Sequence, residues 1–405
     1  MRIRFYLAGV LAMALAACQP NSERKLSPEM YRGVFEAKDQ QEIPFLFRVN
    51  SPTSLEVYNG EEVITVDEIT YADDSVSIYM PVFDSYIRAK IEESGRLNGY
   101  FTKKTATYKV PFHAEVGSER FDVASGPAAN IAGGWEVLFG KDSTDQNSWA
   151  KGLFEQKGNK VTGTFRTPTG DYRFLEGVLD GNQLKLSSFD GVHLMLFTAN
   201  VSDSTMNGQF YSRNTWTEGF SGVRNDSYEL PDPESLTSLK EGYESIDFSF
   251  PDADGKLVSL SDEQFRNKVV VVQIMGTWCP NCLDETRFFV DYQKKHADEP
   301  LAFVGLAFEY AKTDSACFAA INRLKKSVGV DYPILLAMNG SEDRKLASEK
   351  LPQLNRIMSY PTSIIIDKQG KVRRIHTGFD GPATGEKYTA YQAGFDNLIQ
   401  RLIAE

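Results

Sequence analysis

Cys279 and Cys282 stand three residues apart at a point in the chain that suits thiol chemistry. The run Val269 to Ile274, apolar but for Gln273, reads as a strand buried on both faces. From it, Met275-Gly276-Thr277-Trp278 leads into Cys279-Pro280-Asn281-Cys282 and a following helix. Pro280 fits a first helical turn because it has no N–H to leave unpaired. A thiol at that junction faces unpaired backbone N–H groups and the positive end of the helix dipole, both of which favour the thiolate. Cys279 is therefore expected to ionise below the free-thiol value of ~8.5 and to act as the attacking sulfur. Cys282, one turn later on the same face, can close a ring and release a mixed disulfide. Such a pair needs no cofactor beyond its own redox-active disulfide.

The four cysteines of the 405-residue chain divide into unlike roles. Cys317 lies beside Phe318, Ile321 and Leu324 at helical spacing and reads as a buried, inert thiol. Cys18 follows a short basic start, Met1-Arg2-Ile3-Arg4, and the apolar run Phe5 to Leu15. That run is short for a membrane span but has the length of a secretory signal core. Leu15-Ala16-Ala17-Cys18 resembles a bacterial lipobox, which implies a lipoprotein signal peptide at 1–17 and lipid on Cys18. The alternative is a plain signal peptide with an incidental cysteine. Acyl chains at Cys18 would tether the protein to a membrane, each buried methylene contributing about 0.8 kcal/mol. Residues 18–28 then form the anchor and a polar tether.

Around these residues the chain changes character twice. Residues 29–226 read as an all-β, antiparallel region. Runs such as Phe45 to Val49 and Ser75 to Tyr79 are aromatic and β-branched, with turns at Asn59-Gly60, Asp73-Asp74, Asp180-Gly181 and Asp190-Gly191. An internal echo divides it. Phe83-Asp84 precedes Asn98-Gly99 much as Phe189-Asp190 precedes Asn207-Gly208, so two related units are expected at about 29–125 and 126–226, forming a closed or stacked sheet. Leu230-Pro231-Asp232-Pro233 marks a linker over 227–242. Beyond it strands and helices alternate, the pattern of an α/β layer fold over 243–405. Helices are predicted from Pro280, over Ser315 to Val328, over Asp343 to Ile357, and at the C-terminus with Tyr391, Phe395, Leu398, Ile399 and Leu402 on one face. Strands are predicted at Leu301 to Leu306, Tyr332 to Leu336, Ser363 to Asp367 and Lys371 to His376.

The C-terminal region resembles the thioredoxin superfamily, through Trp-Cys-Pro-Asn-Cys after an apolar strand and Tyr360-Pro361-Thr362 before another. More narrowly it resembles the TlpA/ResA-like membrane-anchored branch. Phe248 to Asp252, Asp254-Gly255-Lys256 and Leu260-Ser261-Asp262 match the entry segment there, and Thr377-Gly378-Phe379 the glycine turn. The resemblance covers none of the β region. It implies a thioredoxin-like α/β fold, a cis peptide at Pro361 opposite the dithiol, and Tyr360 backbone positioned for a substrate. Trp278, Pro280, Tyr360 and Pro361 are then the expected substrate-contacting residues, although Trp278 could equally be packing and Pro361 an ordinary strand-entry proline. Thioredoxins keep a buried acid six residues before the first cysteine, and here that position is Gln273. Glu285, matching an acidic position of the branch one turn beyond Cys282, could accept the Cys282 proton; a solvated first-turn glutamate is the competing reading. Glu309 is a weaker candidate acceptor.

The resemblance implies a thiol–disulfide oxidoreductase of the cell envelope, lipid-anchored and facing the periplasm or exterior of a bacterium. Its partners would be protein disulfides and a membrane thiol electron donor. A thioredoxin-fold peroxidase is the enzymatic alternative, disfavoured because Gly276 stands where a hydroxyl residue is expected. A binding protein whose β domain recruits a partner is the non-enzymatic one. The formal charge of −11 argues against nucleic acid. No metal is expected: one C-x-x-C lacks a second ligand pair, and His113, His193, His296 and His376 are scattered.

Overall fold

The computed structural model describes residues 24–104, 108–140, 143, 145 and 148–405. Cys18 and the expected signal peptide lie outside the described residues.

Two antiparallel nine-stranded sheets make up the N-terminal region, one over Met30–Val116 and the next over Gly133–Arg224. Each is a meander whose first strand pairs with its last: Met30–Glu36 with Val110–Val116, and Gly133–Phe139 with Trp216–Arg224. In the second sheet, pairing of Trp149–Lys157 with Lys160–Thr167 closes the ring into a barrel. The edge strands of the first, Glu62–Val66 and Glu68–Ala72, follow one another in the chain. Alternation of buried and exposed residues along strands such as Ser85–Ile91 sends one face inward, as the period of two requires.

The echoed Asn-Gly pairs are not turns. Asn98-Gly99 and Asn207-Gly208 both lie inside the penultimate strand of their sheet. A Cβ at Gly99 would collide with the Arg88 carbonyl, and one at Gly208 with the Thr198 carbonyl. The glycines therefore mark close backbone approach within a strand. The other shared dipeptide joins the two sheets: Phe189 packs among Phe35, Phe45 and Phe101 of the first core, and Asn59 bonds both the Phe189 N–H and its carbonyl.

The C-terminal domain carries a five-stranded sheet in the order Ile334–Met338, Leu301–Phe308, Val269–Met275, Thr362–Ile366, Val372–Thr377. The first three run parallel and the last two antiparallel to their neighbours. All seven residues of the central strand are buried. The helices Pro280–Lys295 and Glu386–Ala404 meet through Phe288, Phe289 and Tyr292 around Phe395. Two expectations need correction. The helix predicted over Asp343 to Ile357 covers only Arg344–Glu349, since Pro352 lacks the N–H a continuing helix would use. The strand predicted at Tyr332 to Leu336 begins two residues later, at Ile334, because Pro333 is excluded from the ladder.

The segment expected as a linker is docked. Thr377 N–H donates to the Pro233 carbonyl, Ser238 N–H to Asn355, and Lys240 N–H to the Gln353 carbonyl.

Candidate active site

The central strand delivers the chain to Gly276, where a side chain would collide with the Trp278 indole. Thr277 is held by Glu309, which accepts from its N–H at 2.8 Å and its hydroxyl at 2.7 Å. Trp278 stacks on Tyr310 with ring centroids 4.0 Å apart and donates from Nε1 to the Phe308 carbonyl. Cys279 is the N-cap of the Pro280–Lys295 helix, its Sγ accepting the Cys282 N–H at 3.2 Å, with Pro280 in the first turn. The sulfur thus takes the place of the oxygen that usually satisfies an orphan helix N–H. Cys279 and Cys282 form a disulfide, with Cα atoms 5.3 Å apart. Cys279 is 6% exposed and Cys282 fully buried, so a reagent from outside meets Cys279 first. Cys279 Sγ lies 3.4 Å from the Tyr360 carbonyl oxygen, and the Tyr360–Pro361 peptide is cis.

Below the dithiol, Gln273 and Glu285 meet. Gln273 Nε2 donates to Glu285 Oε2 at 2.9 Å and to the Cys282 carbonyl at 3.1 Å. Tyr391 Oη donates to Glu285 Oε1 at 3.3 Å. Burial pushes the Glu285 carboxyl up to about 8, against the pull of its hydrogen bonds from Gln273, Ser363 and Tyr391. This is a buried carboxyl, not a solvated first-turn glutamate. Burial also raises Glu309, to about 7, against its bonds from Thr277. Cys317 is buried apart from the pair, and desolvation raises its thiol to about 11, the signature of an unreactive sulfur.

Residues 240–392 match the family model described as Redoxin. Thioredoxin-like protein YneN of Bacillus subtilis is 29% identical over 140 residues, covering 35% of this chain and 73% of that protein. Thiol-disulfide oxidoreductase ResA of the same organism is 27% identical over 141 residues, covering 35% and 69%. The C-terminal domain is thioredoxin-like, and over this span it is similar to proteins named as thiol–disulfide oxidoreductases. A solved thiol:disulfide interchange protein of the thioredoxin family from Chlorobium tepidum aligns with 41% of this chain and 99% of its own, at 23% identity and a TM-score of 0.31.

The thioredoxin-like domain does not stand alone around its dithiol. A cavity of about 420 Å³ opens beside Cys279 and Trp278, and its opposite wall is the second barrel, through Tyr172, His193, Met195 and Phe210. Arg173 crosses the boundary to grip Asp284, at 2.8 and 2.9 Å, and also meets Glu62 and Asp190. Arg166 grips Asp380 with two bonds of 2.7 Å. Sequence patterns do not single out these barrel residues as part of a site, and leave His193 as one of four scattered histidines. The available signal is Pro168 and Gly170, residue types that punctuate turns, and nothing in their spacing points to a partner over a hundred residues away. Among the described residues no cluster of metal-ligating groups is found.

Proposed function

We propose that this protein is a membrane-anchored, extracytoplasmic dithiol reductant that acts on disulfides of exported proteins. The observation that carries it is the Cys279 sulfur seated as N-cap on the Cys282 N–H, with Cys282 enclosed behind it. In the reduced protein the same N–H and the helix dipole stabilise the Cys279 thiolate. It attacks one sulfur of a client disulfide, forming a mixed disulfide and releasing the other sulfur as a thiolate. Cys282 then gives its proton to Glu285 in its ionised form, which grows as pH rises towards 8, and attacks Cys279 Sγ, which expels the second client thiolate and leaves the Cys279–Cys282 disulfide. Two electrons pass to the client, and a membrane dithiol donor restores them. Trp278, Pro280, Tyr360 and Pro361 border the sulfur and contact the client. Lipid on Cys18 holds the chain at the envelope; no helix among the described residues is long and apolar enough to cross a membrane.

Equilibration against glutathione buffers tests this. A midpoint towards the thioredoxin end of the scale, ~−270 mV, is expected; one near ~−120 mV overturns the direction of transfer. Failure of the pair to cycle at all overturns the chemistry.

A further inference from the structure

Two segments border the reactive sulfur, 277–281 and 359–361, and a third, 377–379, is tied to the second by the Gly378 N–H, which donates to the Pro361 carbonyl. A single turn of the second barrel, Thr167–Asp171, touches all three. Ser359 Oγ donates to the Thr169 carbonyl at 2.9 Å, and Asn281 Nδ2 donates to the Asp171 carbonyl at 3.1 Å. Gly378 faces Thr169 so closely that a Cβ there would lie 2.9 Å from its carbonyl carbon. Gly170, at φ +139°, packs on Asn281 where a side chain would overlap the amide. The residue following Gly378's loop joins in: Arg166, just before the turn, holds Asp380 through paired bonds. Just after the turn, Arg173 holds Asp284 of the active-site helix in the same way. Gly381 N–H donates to Asp171 Oδ2 at 2.6 Å. Bidentate guanidinium–carboxylate pairs fix geometry as well as supply energy, so the turn is clamped at both ends.

We infer that this turn is the specificity element of the enzyme: it fills the space in front of the dithiol where a folded polypeptide would lie, and selects unconstrained disulfides. Such a disulfide, in a small molecule or a short flexible peptide, enters end-on through the cavity beside Cys279. At about 420 Å³ that cavity has the size of a small-molecule site and is too confined for a folded chain. Its lining suits a half-cystine with polar ends. Met195, Phe210 and Trp278 offer apolar contact, and His193 and Arg344 supply nitrogen donors for a carboxylate. The exchange is the one already written, with the two electrons going to the small disulfide and two thiols leaving through the cavity. The inference rests on the dithiol chemistry proposed above and changes its clients, from exported proteins at large to their flexible segments and to small disulfides.

The test uses the full chain, reduced beforehand, with oxidised glutathione, a flexible ten-residue cystine peptide and native insulin as oxidants. Oxidation of the dithiol by glutathione disulfide or by the peptide is expected at least tenfold faster than by insulin. Which of those two is faster identifies the source of the disulfide. Insulin within threefold of both overturns the inference while leaving the exchange chemistry standing. If none of the three oxidises the pair, the underlying chemistry fails and the inference with it. Asp380→Asn, which removes one clamp without touching the cavity, should raise the insulin rate about tenfold and leave the glutathione rate within twofold. An insulin rate that stays low, although hydrogen exchange shows the Thr169, Gly170 and Asp171 amides freed, also overturns it.

Discussion

Arg173 of the second barrel and Asp284 of the active-site helix form a buried bidentate ion pair, with Nε and a terminal nitrogen 2.8 and 2.9 Å from the two carboxylate oxygens. The same guanidinium meets Glu62 of the first sheet and Asp190 of the second, so one side chain ties three parts of the chain together. Its neighbours hold Arg173 firmly protonated, and burial is outweighed by their charge.

Removing that cation leaves Glu62, Asp190 and Asp284 buried together, with the part-exposed His193 and Arg287 beside Asp190 and Asp284 and, among the described residues, no cation left paired with Glu62. Breaking a buried pair by deleting one partner costs about 3–5 kcal/mol, mostly the penalty of the stranded charge. Arg173→Ala is therefore expected to lower the unfolding free energy by about that amount in urea titration. A change below about 1 kcal/mol would show that water reaches the cluster and screens it.

Cys279→Ser and Cys282→Ser should separate the two sulfurs. The first removes the exposed nucleophile and is expected to abolish disulfide reduction. The second retains the attack but cannot resolve it, so a mixed disulfide at Cys279 should accumulate and appear by mass spectrometry as a fixed adduct. Adducts at Cys317 instead would contradict its burial and its raised thiol.

The dithiol and the sheet around it were legible because their signals are local. A seven-residue apolar strand, a proline after the first cysteine and helical spacing at Phe288, Phe289 and Tyr292 each speak for themselves. The barrel's hold on the active site was not legible, because Arg166 and Arg173 find their partners more than a hundred residues away. A charged residue inside a strand pattern reads as solvent-facing until its partner is seen. The echo between the two β units lay in between. Its Asn-Gly pairs were visible, yet their meaning came only from register, which sets each glycine against the backbone of the preceding strand.

That reading of the glycines can be measured. Gly208→Ala places a Cβ against the Thr198 carbonyl and the Phe220 ring, and is expected to destabilise the protein by about 1–3 kcal/mol, as overpacking does. Gly126 has open space around its Cβ position, so Gly126→Ala should stay within about 0.5 kcal/mol of the parent. Thermal melts of the pair decide between close approach and a general intolerance of alanine.

Glu285 gives the sharpest dependence on pH. Its carboxyl sits at about 8 in the fold against an ordinary value of 4.5, because burial disfavours the anion. The folded state therefore binds a proton that the unfolded state has released between those values. Stability contributed by the protonated carboxyl is complete below about 4.5 and is lost as pH rises through about 8, on the order of a few kcal/mol. Asp171 and Glu309, both raised to about 7 by burial, add slopes of the same sign, so the variant isolates one contribution. Glu285→Gln keeps the shape, cannot ionise, and should flatten the loss of stability between about pH 4.5 and 8 relative to the parent. It also removes the acceptor for the Cys282 proton. Only the ionised carboxyl can accept, a minority at pH 7, so the second exchange step should slow by about 10-fold at pH 7 and by about 10²-fold near pH 9, with mixed disulfide building up while attack by Cys279 is unchanged. A variant that resolves its mixed disulfide at the parental rate would move the proton acceptor to Glu309 or to solvent. A parental pH profile of stability would mean that water reaches the carboxylate behind Cys282.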